Sequence, residues 1–548
     1  MRPLRLILPA LAAWSAVPAR AQEEHRVPMR DGALLATRSW VPGPGKHPAV
    51  LVRGYTAGGL GGNAPAFNKA GYAFVSQQCR GNGGDDGTRF FPDDRDGHDC
   101  IEWIVRQPWS DGKVAMWGGS YWGATQWRAA VSAHPALKAI VPGFIDADLW
   151  KAAYWGGGAL HLKMTTQSGR AIPDGKYSLE EWKERLSYLP LADMDRKWLG
   201  REHRLWNDYV AHSSFDDYWK AISMREGGRW GKVAIPVYCV SGWQDYYAGV
   251  CLENWQALRA AGACPDARVR IGDHGHSGAP DLADTLRFLD HHLRGRDTGI
   301  AGEPPIKIQV RHSGWRLERE WPIPGTTFAR LYLSARDGGR VGALRSAPPG
   351  EEPPAAYDYD PADPVLTLGA NGSHQPVPGL IAVGPVDQRP NEGRPDVLVF
   401  TSAPFVDDTE LVGPVEARVW ASSSARDTDF AVKLLDVQPD GRALNFSEGI
   451  VRARFREGIW GAPSPIEPGR VYEYRIELLP VSIAIRKGHR VRIHLSSSSW
   501  PLWDRNPNTG NPIGTDAELR VARQAVHHDR ARPSHVVLPI VSGKGPGP

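Results

Sequence analysis

The chain has 548 residues, of which 41% are hydrophobic, 23% charged and 9% aromatic, with a formal net charge of +4. This composition is typical of a folded globular protein and excludes a disordered chain or a coiled coil. Because a single core stops growing at about 250–300 residues, the length predicts two to four structural units.

The first 21 residues have the three parts of a secretory signal peptide. Arg2 and Arg5 precede an apolar run over residues 6–17, and Ala19-Arg20-Ala21 provides a cleavage pattern. We therefore expect a secreted or periplasmic protein without a membrane partner after cleavage. The alternative interpretation of these 21 residues is an N-terminal amphipathic helix that belongs to the fold. Without Arg2, Arg5 and Arg20 the 65 basic residues fall to 62 against 61 acidic residues, so no nucleic-acid partner is predicted.

From about residue 49 to residue 141 the pattern alternates buried strands with helices. Strands are predicted at short apolar runs, and helices where apolar residues recur every three to four positions. The predicted strands are Ala49–Val52, Ala73–Val75, Val114–Trp117 and Ala139–Val141, and predicted helices begin near Cys100 and Trp127. This alternation predicts a parallel sheet with helices on both faces.

The pattern changes twice further along the chain. Residues 150–231 have helical spacing, as in Leu179–Leu186, and are predicted to form a helical insertion. Strands resume at Val237–Val240 and Val269–Ile271, and a helix is predicted near residues 281–293. Later alternating segments predict an antiparallel sandwich of jelly-roll type. They are Ile306–Val310, Phe328–Leu333, Val415–Trp420, Phe430–Leu435, Tyr472–Leu478 and Val491–Leu495.

A candidate nucleophile, Ser120, lies between a predicted strand and a predicted helix. The segment Gly118-Gly-Ser-Tyr-Trp-Gly123 fits a sharp strand-to-helix turn that exposes the serine hydroxyl. It departs from the G-x-S-x-G pattern because glycine follows at the third position after the serine and Trp122 at the second. An ordinary tight turn is the alternative.

Candidate partners for this serine follow the two resumed strands. Asp245 comes after Val237–Val240, and two histidines, His274 and His276, come after Val269–Ile271. A serine becomes a good nucleophile when a histidine takes its proton and a carboxylate orients that histidine. Asp245 as a turn or N-cap residue remains an alternative, and His274 competes with His276.

An oxyanion hole needs donors besides the nucleophile. The N–H of Tyr121 is one candidate, since it opens the predicted helix. The hydroxyl of Tyr55 is another, in the glycine-rich loop after the strand at residues 49–52. A phosphate-binding function for this loop is disfavoured because no Gly-Lys-Ser/Thr follows.

These motifs resemble the cocaine esterase and X-Pro dipeptidyl-peptidase family of serine hydrolases. The resemblance rests on Tyr55, Gly118–Gly123, Gly242-Trp-Gln-Asp245 and Gly272-Asp-His-Gly-His276, and it covers nearly the whole mature chain. It implies that Ser120 is the nucleophile, His276 the base and Asp245 the orienting acid, with Tyr55 and Tyr121 forming the oxyanion hole. Members often have Arg-x-Pro-Tyr where this chain has the shorter Arg53-Gly-Tyr55.

The resemblance also implies an α/β-hydrolase core with a helical cap insertion and a C-terminal all-β jelly roll. The expected division is a signal peptide over residues 1–21 and a first core part over 22–149. These are followed by a cap over residues 150–231, a second core part over 232–300 and a jelly-roll domain over 301–548.

Aromatic residues and cysteines allow further, less specific expectations. Trp122, Trp150, Trp155 and Trp243 are predicted to line an apolar acyl pocket, with core packing as the alternative. A disulfide between Cys79 and Cys100 is predicted because export permits one, with two buried free thiols as the alternative. No metal or cofactor is expected, since the spacing of His, Cys and acidic residues matches no known metal motif.

The leading hypothesis is an exported serine hydrolase that cleaves small ester or amide substrates through an acyl-enzyme. An X-Pro dipeptidyl-peptidase or α-amino acid ester hydrolase is the second hypothesis, with Asp146 and Asp148 as candidate ligands for a substrate ammonium. A third is an inert hydrolase core whose jelly roll binds carbohydrate or a surface. The sequence leaves a homo-oligomer open.

Overall fold

The computed structural model describes residues 22–81, 94–154, 157–168, 171–173, 175–276, 280–370, 376–543 and 545–547. The predicted signal peptide and Trp155 lie outside these ranges. Within them, no helix has both the length and the apolar character needed to cross a membrane.

The N-terminal part of the chain forms a ten-stranded mixed sheet with the order β1-β2-β4-β3-β5-β6-β7-β8-β9-β10. The strands are β1 (Glu23–Pro28), β2 (Leu34–Trp40), β3 (His47–Gly54), β4 (Ala73–Gln78), β5 (Ser110–Gly119), β6 (Leu137–Gly143), β7 (Val237–Gly242), β8 (Ala267–Gly272), β9 (Ile306–Val310) and β10 (Gly314–Glu318). Strands β3 to β9 are mutually parallel, so their carboxyl ends meet at one edge of the sheet.

Helices cover both faces of this sheet, as predicted. They are α1 (Ala64–Lys69), α2 (Asp94–Val105), α3 (Tyr121–Val131), α10 (Tyr247–Ala261) and α11 (Leu282–Arg294). Leu51 of β3 packs in a core with α2, α3 and α10, whereas its neighbours Val50 and Val52 pack in a second core with α1 and α11. Strands buried on both faces explain the continuous apolar runs in the sequence.

The described residues of the predicted helical insertion form six α-helices, the first of which begins at Leu149. They are α4 (Leu149–Ala153), α5 (Leu162–Ser168), α6 (Leu179–Leu186), α7 (Met194–Leu199), α8 (Arg204–Ala211) and α9 (Asp217–Lys220). Helix α6 begins with a capping box, in which the Ser178 hydroxyl accepts from the Glu181 N–H and the Glu181 carboxylate accepts from the Ser178 N–H. The described residues of this insertion contain no strand.

The C-terminal part forms a β-rich sandwich. Its eleven-stranded sheet contains β11 (Thr327–Ser334), β12 (Val341–Arg345), β13 (Ala355–Tyr359), β16 (Leu398–Ser402), β17 (Thr409–Ser423), β18 (Asp429–Val437), β19 (Ala443–Arg452), β20 (Tyr472–Ile485), β21 (Arg490–Ser496), β22 (Ala522–His527) and β23 (His535–Ser542). A two-stranded sheet, β14 (Leu368–Ala370) and β15 (Ile381–Val383), and a short helix, α12 (Arg389–Glu392), accompany it. The jelly-roll connectivity and the predicted domain boundaries stay predictions.

One sequence interpretation in this region is wrong. The alternating segment Ile306–Val310 was expected in the C-terminal sandwich, but it forms β9 and pairs in parallel with β8. Its burial alternates along the strand because β9 lies next to the edge strand β10. A parallel strand in that position has the same hydrophobic period as a strand of a sandwich.

The predicted disulfide between Cys79 and Cys100 is also wrong, since both are free, buried thiols in the structure. The Cys79 thiol is hydrogen-bonded to the Tyr121 side chain, and the buried Arg53 guanidinium lies near both sulfurs. Burial raises the pKa of the Cys100 thiol to about 12 and raises that of Cys79. Both sulfurs are therefore held as unreactive thiols rather than thiolates.

We predict that protein purified without reductant contains five free thiols, matching the five cysteines of the chain. Titration with Ellman's reagent in denaturant measures this number, and a sample reduced beforehand is the control. A disulfide would leave three reactive thiols before reduction and five after it. The native protein should react much more slowly because four of the five thiols are buried.

Candidate active site

Ser120 occupies a strained turn between β5 and α3. Its backbone angles, φ 58° and ψ −129°, lie outside the regions that a residue with a side chain normally adopts. The Ser120 N–H donates to the Gly143 carbonyl at 2.8 Å, which fixes the turn against β6. The structure therefore has the backbone geometry that the sequence predicted for a nucleophile elbow.

Close packing around this turn explains why glycine stands at position 123 rather than 122. A Cβ at Gly123 would lie 2.6 Å from Ile145 Cγ2 and 2.9 Å from the Gly143 oxygen. At Gly118, where φ is +135°, a Cβ would lie 2.7 Å from the Trp122 Cβ. Helix α3 thus approaches β6 through Gly123, whereas Trp122 points to the other side and packs on Gly118.

Asp245 and His276 meet at the same edge of the sheet. They follow β7 and β8, which end side by side at the pair Gly242 and Gly272. The Asp245 Oδ2 is hydrogen-bonded to the His276 Nδ1 at 2.8 Å, and the Asp245 side chain is fully buried. The His276 ring packs on Phe144, with 5.4 Å between the ring centroids. Phe144 directly follows Gly143, whose carbonyl accepts the hydrogen bond from the Ser120 N–H.

The His274 ring also packs on Phe144, at 5.8 Å between centroids, but its polar contacts differ from those of His276. Its Nδ1 lies 2.9 Å from the Gly275 carbonyl, and its own carbonyl accepts from the Gln244 N–H at 3.1 Å. The His274 ring covers Gly272, where a Cβ would lie 2.6 Å from its Cδ2. His274 therefore packs within the two loops, while His276 contacts the buried carboxylate.

The two predicted oxyanion residues lie side by side. The rings of Tyr55 and Tyr121 stack at 4.5 Å with an interplanar angle of 18°, and Trp122 meets Tyr55 edge-on at 5.3 Å. A Cβ at Gly54 would lie 2.3 Å from the Trp122 Nε1. Glycine at this position lets the loop that carries Tyr55 lie directly over the start of α3.

The predicted pocket tryptophans do not form one group. Trp122 contacts Tyr55, as described, and Trp150 is fully buried against Tyr154 at 4.6 Å and Trp219 at 5.5 Å. Trp243 instead donates its indole N–H to the Gln309 carbonyl of β9 at 2.8 Å. Core packing, the alternative to a role in the acyl pocket, therefore accounts well for Trp150 and Trp243. Trp155 lies outside the described residues.

Two tyrosines that were not named as site residues lie directly beside Asp245. The Tyr246 hydroxyl donates to the Tyr247 hydroxyl at 2.6 Å, and the Tyr247 ring lies 6.0 Å from the His276 ring. Both side chains are buried. Their position after Asp245 was the only sequence signal, because nothing in the spacing distinguishes them from core tyrosines.

A pair of acids lies on the loop between β6 and α4. Asp146 is buried and its Oδ2 has no hydrogen-bond partner among the described residues, while its Oδ1 accepts from the Asp148 N–H at 3.0 Å. Burial, reinforced by Asp148 and Glu253, raises the pKa of Asp146 well above its usual range. Burial also raises the pKa of Asp148, which accepts a hydrogen bond from Ser223.

The part of the chain that the structure describes contains no group of three or more His, Cys, Asp or Glu side chains that could hold a metal ion.

Similarity to known proteins places this site in a family. Residues 31–278 match the X-Pro dipeptidyl-peptidase (S15 family) model, and residues 298–537 match the X-Pro dipeptidyl-peptidase C-terminal non-catalytic domain. Cocaine esterase of Rhodococcus sp. (strain MB1 Bresler) is 36% identical over 577 residues, covering 94% of this chain and 97% of that protein. The chain belongs to the X-Pro dipeptidyl-peptidase (S15) family. It is a serine hydrolase of ester or amide bonds.

Solved structures agree with this assignment over almost the full length. An aminopeptidase from the marine sediment archaeon Thaumarchaeota archaeon has a TM-score of 0.81 and 26% identity, covering 95% of this chain and 96% of that one. An α-amino acid ester hydrolase has a TM-score of 0.80 and 25% identity, and the match covers 97% of this chain and 98% of that one. The S15 family resemblance seen in the motifs is therefore confirmed.

Proposed function

We propose that the protein is an exported esterase whose catalytic triad is Ser120, His276 and Asp245. The observation that carries this proposal is the 2.8 Å hydrogen bond between the fully buried Asp245 and His276, at the sheet edge where Ser120 occupies its strained turn. A buried carboxylate that receives the Nδ1–H of an imidazole leaves Nε2 as the base.

The chemistry follows from these positions. His276 Nε2 takes the proton of the Ser120 hydroxyl as its oxygen attacks the acyl carbonyl carbon, and Asp245 stabilises the imidazolium that forms. The imidazolium then protonates the leaving alcohol, and an ester of Ser120 with the acyl group remains. Water attacks this ester by the same proton transfers in reverse, which releases the acid and restores Ser120.

In this mechanism the negative oxygen of the tetrahedral intermediate is bound by two donors. The Tyr121 N–H belongs to the first turn of α3, where the helix dipole favours a negative charge. The Tyr55 hydroxyl is the second donor, and its ring is held by stacking on Tyr121. Donors fixed in this way contribute more to the transition state than to the ground state.

The contact between Asp245 and His276, at the sheet edge that carries the strained Ser120, supports an enzyme rather than an inert core with a binding sandwich. The relative with 36% identity is named cocaine esterase, which favours esters, whereas the aminopeptidase and the α-amino acid ester hydrolase keep the second hypothesis open. The residues that would bind a substrate ammonium therefore decide between the two enzyme hypotheses.

We expect Ser120→Ala to lower kcat by about 10⁴–10⁶ without unfolding the protein, because it removes only the nucleophilic oxygen. His276→Ala should lose activity to a similar extent. The measurement is hydrolysis of p-nitrophenyl acetate, together with labelling by a fluorophosphonate probe, which should mark wild type and not Ser120→Ala.

The matched control for the histidine is His274→Ala, which should keep activity within about tenfold of wild type because His274 does not contact Asp245. Wild-type turnover by Ser120→Ala would refute the triad, and loss of activity in His274→Ala with retention in His276→Ala would move the base to His274. Circular dichroism should be unchanged in all three variants.

The acids available for a substrate ammonium are poorly suited to that role. Burial, reinforced by Asp148 and Glu253, raises the pKa of Asp146 and so disfavours its charged form, and Asp148 is bonded to Ser223. The residues that follow Asp245 are tyrosines. A buried cation without an ionised partner costs several kcal/mol, so the site favours an uncharged acyl group.

We predict that methyl phenylacetate is hydrolysed with at least about tenfold higher kcat/KM than phenylglycine methyl ester, which differs by one α-amine. Tenfold corresponds to about 1.4 kcal/mol of transition-state binding. Initial rates by pH-stat measure the ratio, with Gly-Pro-p-nitroanilide as the peptidase substrate. A tenfold preference for either free-amine substrate would favour the peptidase or amino-ester hypothesis.

Export is the second part of the proposal, and it rests on the sequence of residues 1–21. When the full chain is made in a Gram-negative host, we expect the mature protein to begin at Gln22 and to be found in the periplasm. N-terminal sequencing checks the cleavage, and Ala21→Arg, which blocks the small-residue site, is the control. A wild-type protein that retains residues 1–21 would contradict export.

A further inference from the structure

A cavity of about 350 Å³ lies between helix α10 and the C-terminal sandwich. We call it the α10 cavity. Its lining includes Leu252 and Glu253 of α10, Trp321, Phe328 of β11, Glu416 of β17 and Glu477 of β20. The volume is within the range of small-molecule sites, about 300–1,000 Å³.

The α10 cavity is separate from the candidate triad because the two lie on opposite faces of α10. Burial, and in addition the Asp245 carboxylate, raises the pKa of Tyr247 and Cys251, which places that face toward Asp245. Gly249, Glu253 and Gln256 line the cavity. At about 100° per residue these three positions point about half a turn away from Tyr247 and Cys251.

Two glutamates of the cavity share a single lysine. The buried Lys151 donates from Nζ to the Glu253 carboxylate at 2.6 Å, and it also interacts with Glu477. Glu477 is exposed to solvent, and the ion pair at 2.6 Å is made by Glu253. One ammonium therefore faces two carboxylates at this end of the cavity.

The other end of the cavity has no excess of carboxylate. Glu416 pairs with Arg418 and Arg475, and Arg418 also pairs with the exposed Glu473 at 3.0 Å. Two guanidinium groups thus meet two carboxylates. Arg330 lies in register with Glu416 across Val537 and adds a positive charge beside this end. The excess of carboxylate is therefore confined to the end formed by Glu253 and Glu477.

Apart from Gln256, the rest of the wall is apolar, and it is partly open to solvent. Phe328 is 48% exposed, although large apolar side chains gain by being covered. Trp321, Pro322 and Pro480 complete an apolar surface around it. A ligand that covers these side chains gains apolar burial, and one with a positive charge also neutralises the excess carboxylate.

We propose that the α10 cavity binds a small organic monocation, an ammonium group on an aromatic or aliphatic body. The ammonium lies between Glu253 and Glu477, and the apolar body covers Phe328 and Trp321. This proposal is independent of the triad assignment, because it concerns binding on the far face of α10.

The experiment is isothermal titration of 2-phenylethylammonium into Ser120→Ala protein, which prevents turnover of any substrate. 2-Phenylethanol and 3-phenylpropanoate supply the neutral and the anionic counterparts of the same size. We expect one site per chain, with the ammonium bound at least about tenfold more tightly than the alcohol and no measurable binding of the carboxylate.

Variants locate the site. Glu477→Gln should weaken ammonium binding by about threefold to tenfold, and Phe328→Ala should weaken both the ammonium and the alcohol by about fivefold or more. Glu467→Gln is the matched control, since Glu467 is an exposed acid of the sandwich outside the cavity and should leave affinity unchanged. Thermal unfolding verifies that each variant is folded.

Several results would overturn the proposal. Equal affinity for the ammonium and the alcohol would remove the role of the carboxylates. Unchanged affinity in both Glu477→Gln and Phe328→Ala would place the ligand outside the α10 cavity. Loss of binding in wild-type protein whose Ser120 has been labelled with a fluorophosphonate would place the ligand at the candidate triad. Because binding is measured without turnover, a failure of the triad assignment would leave these results interpretable.

Discussion

The backbone of Ser120 is the constraint on which the arrangement of the candidate site depends. A residue held at φ 58° and ψ −129° costs on the order of 1–3 kcal/mol and persists only when its surroundings fix it. Here the bond to the Gly143 carbonyl and the close approach at Gly118 and Gly123 supply that fixation. The same contacts set α3 against β6, so Ser120, the N-terminus of α3 and Phe144 keep one relative geometry.

The C-terminal sandwich contributes directly to the position of the cap. The buried Asp504 accepts the Leu160 N–H at 2.7 Å and pairs with Arg452, which also pairs with Asp429. The Arg452 N–H in turn donates to the Gly157 carbonyl at 2.9 Å. Since this buried cluster joins the two regions, the sandwich is part of the scaffold that shapes the cleft.

The contact between the cap and the sandwich depends on the pairing of these buried charged side chains. Burial raises the pKa of Asp504 to about 6, and the Arg452 guanidinium opposes that shift. Removing one member of such a cluster leaves a buried charge without a partner, which is much more costly than losing a surface pair. A cluster of this kind favours a single arrangement of cap and sandwich.

Much of the fold could be predicted from the sequence because parallel strands covered on both faces have unmistakable apolar runs. The segments at Ala49–Val52 and Val114–Trp117 are examples, and Ser120 could be found because it follows one of them. β9 was misassigned because a strand near a sheet edge alternates like one of a sandwich. The free thiols of Cys79 and Cys100 depend on side-chain directions that spacing does not contain.

The residue types at the sheet edge do not by themselves determine which groups surround each acid. Asp146 and Asp245 follow neighbouring strands and are both buried, and only the structure shows what each carboxyl group contacts. Asp245 has an imidazole at 2.8 Å, whereas Asp146 has one backbone N–H, an orphan oxygen and acidic neighbours that raise its pKa. A carboxylate keeps its charge in a dry site only when donors compensate the lost hydration. A carboxyl group whose charged form is disfavoured in this way is a poor partner for a substrate ammonium, which is the physical basis of the proposed preference for uncharged acyl groups.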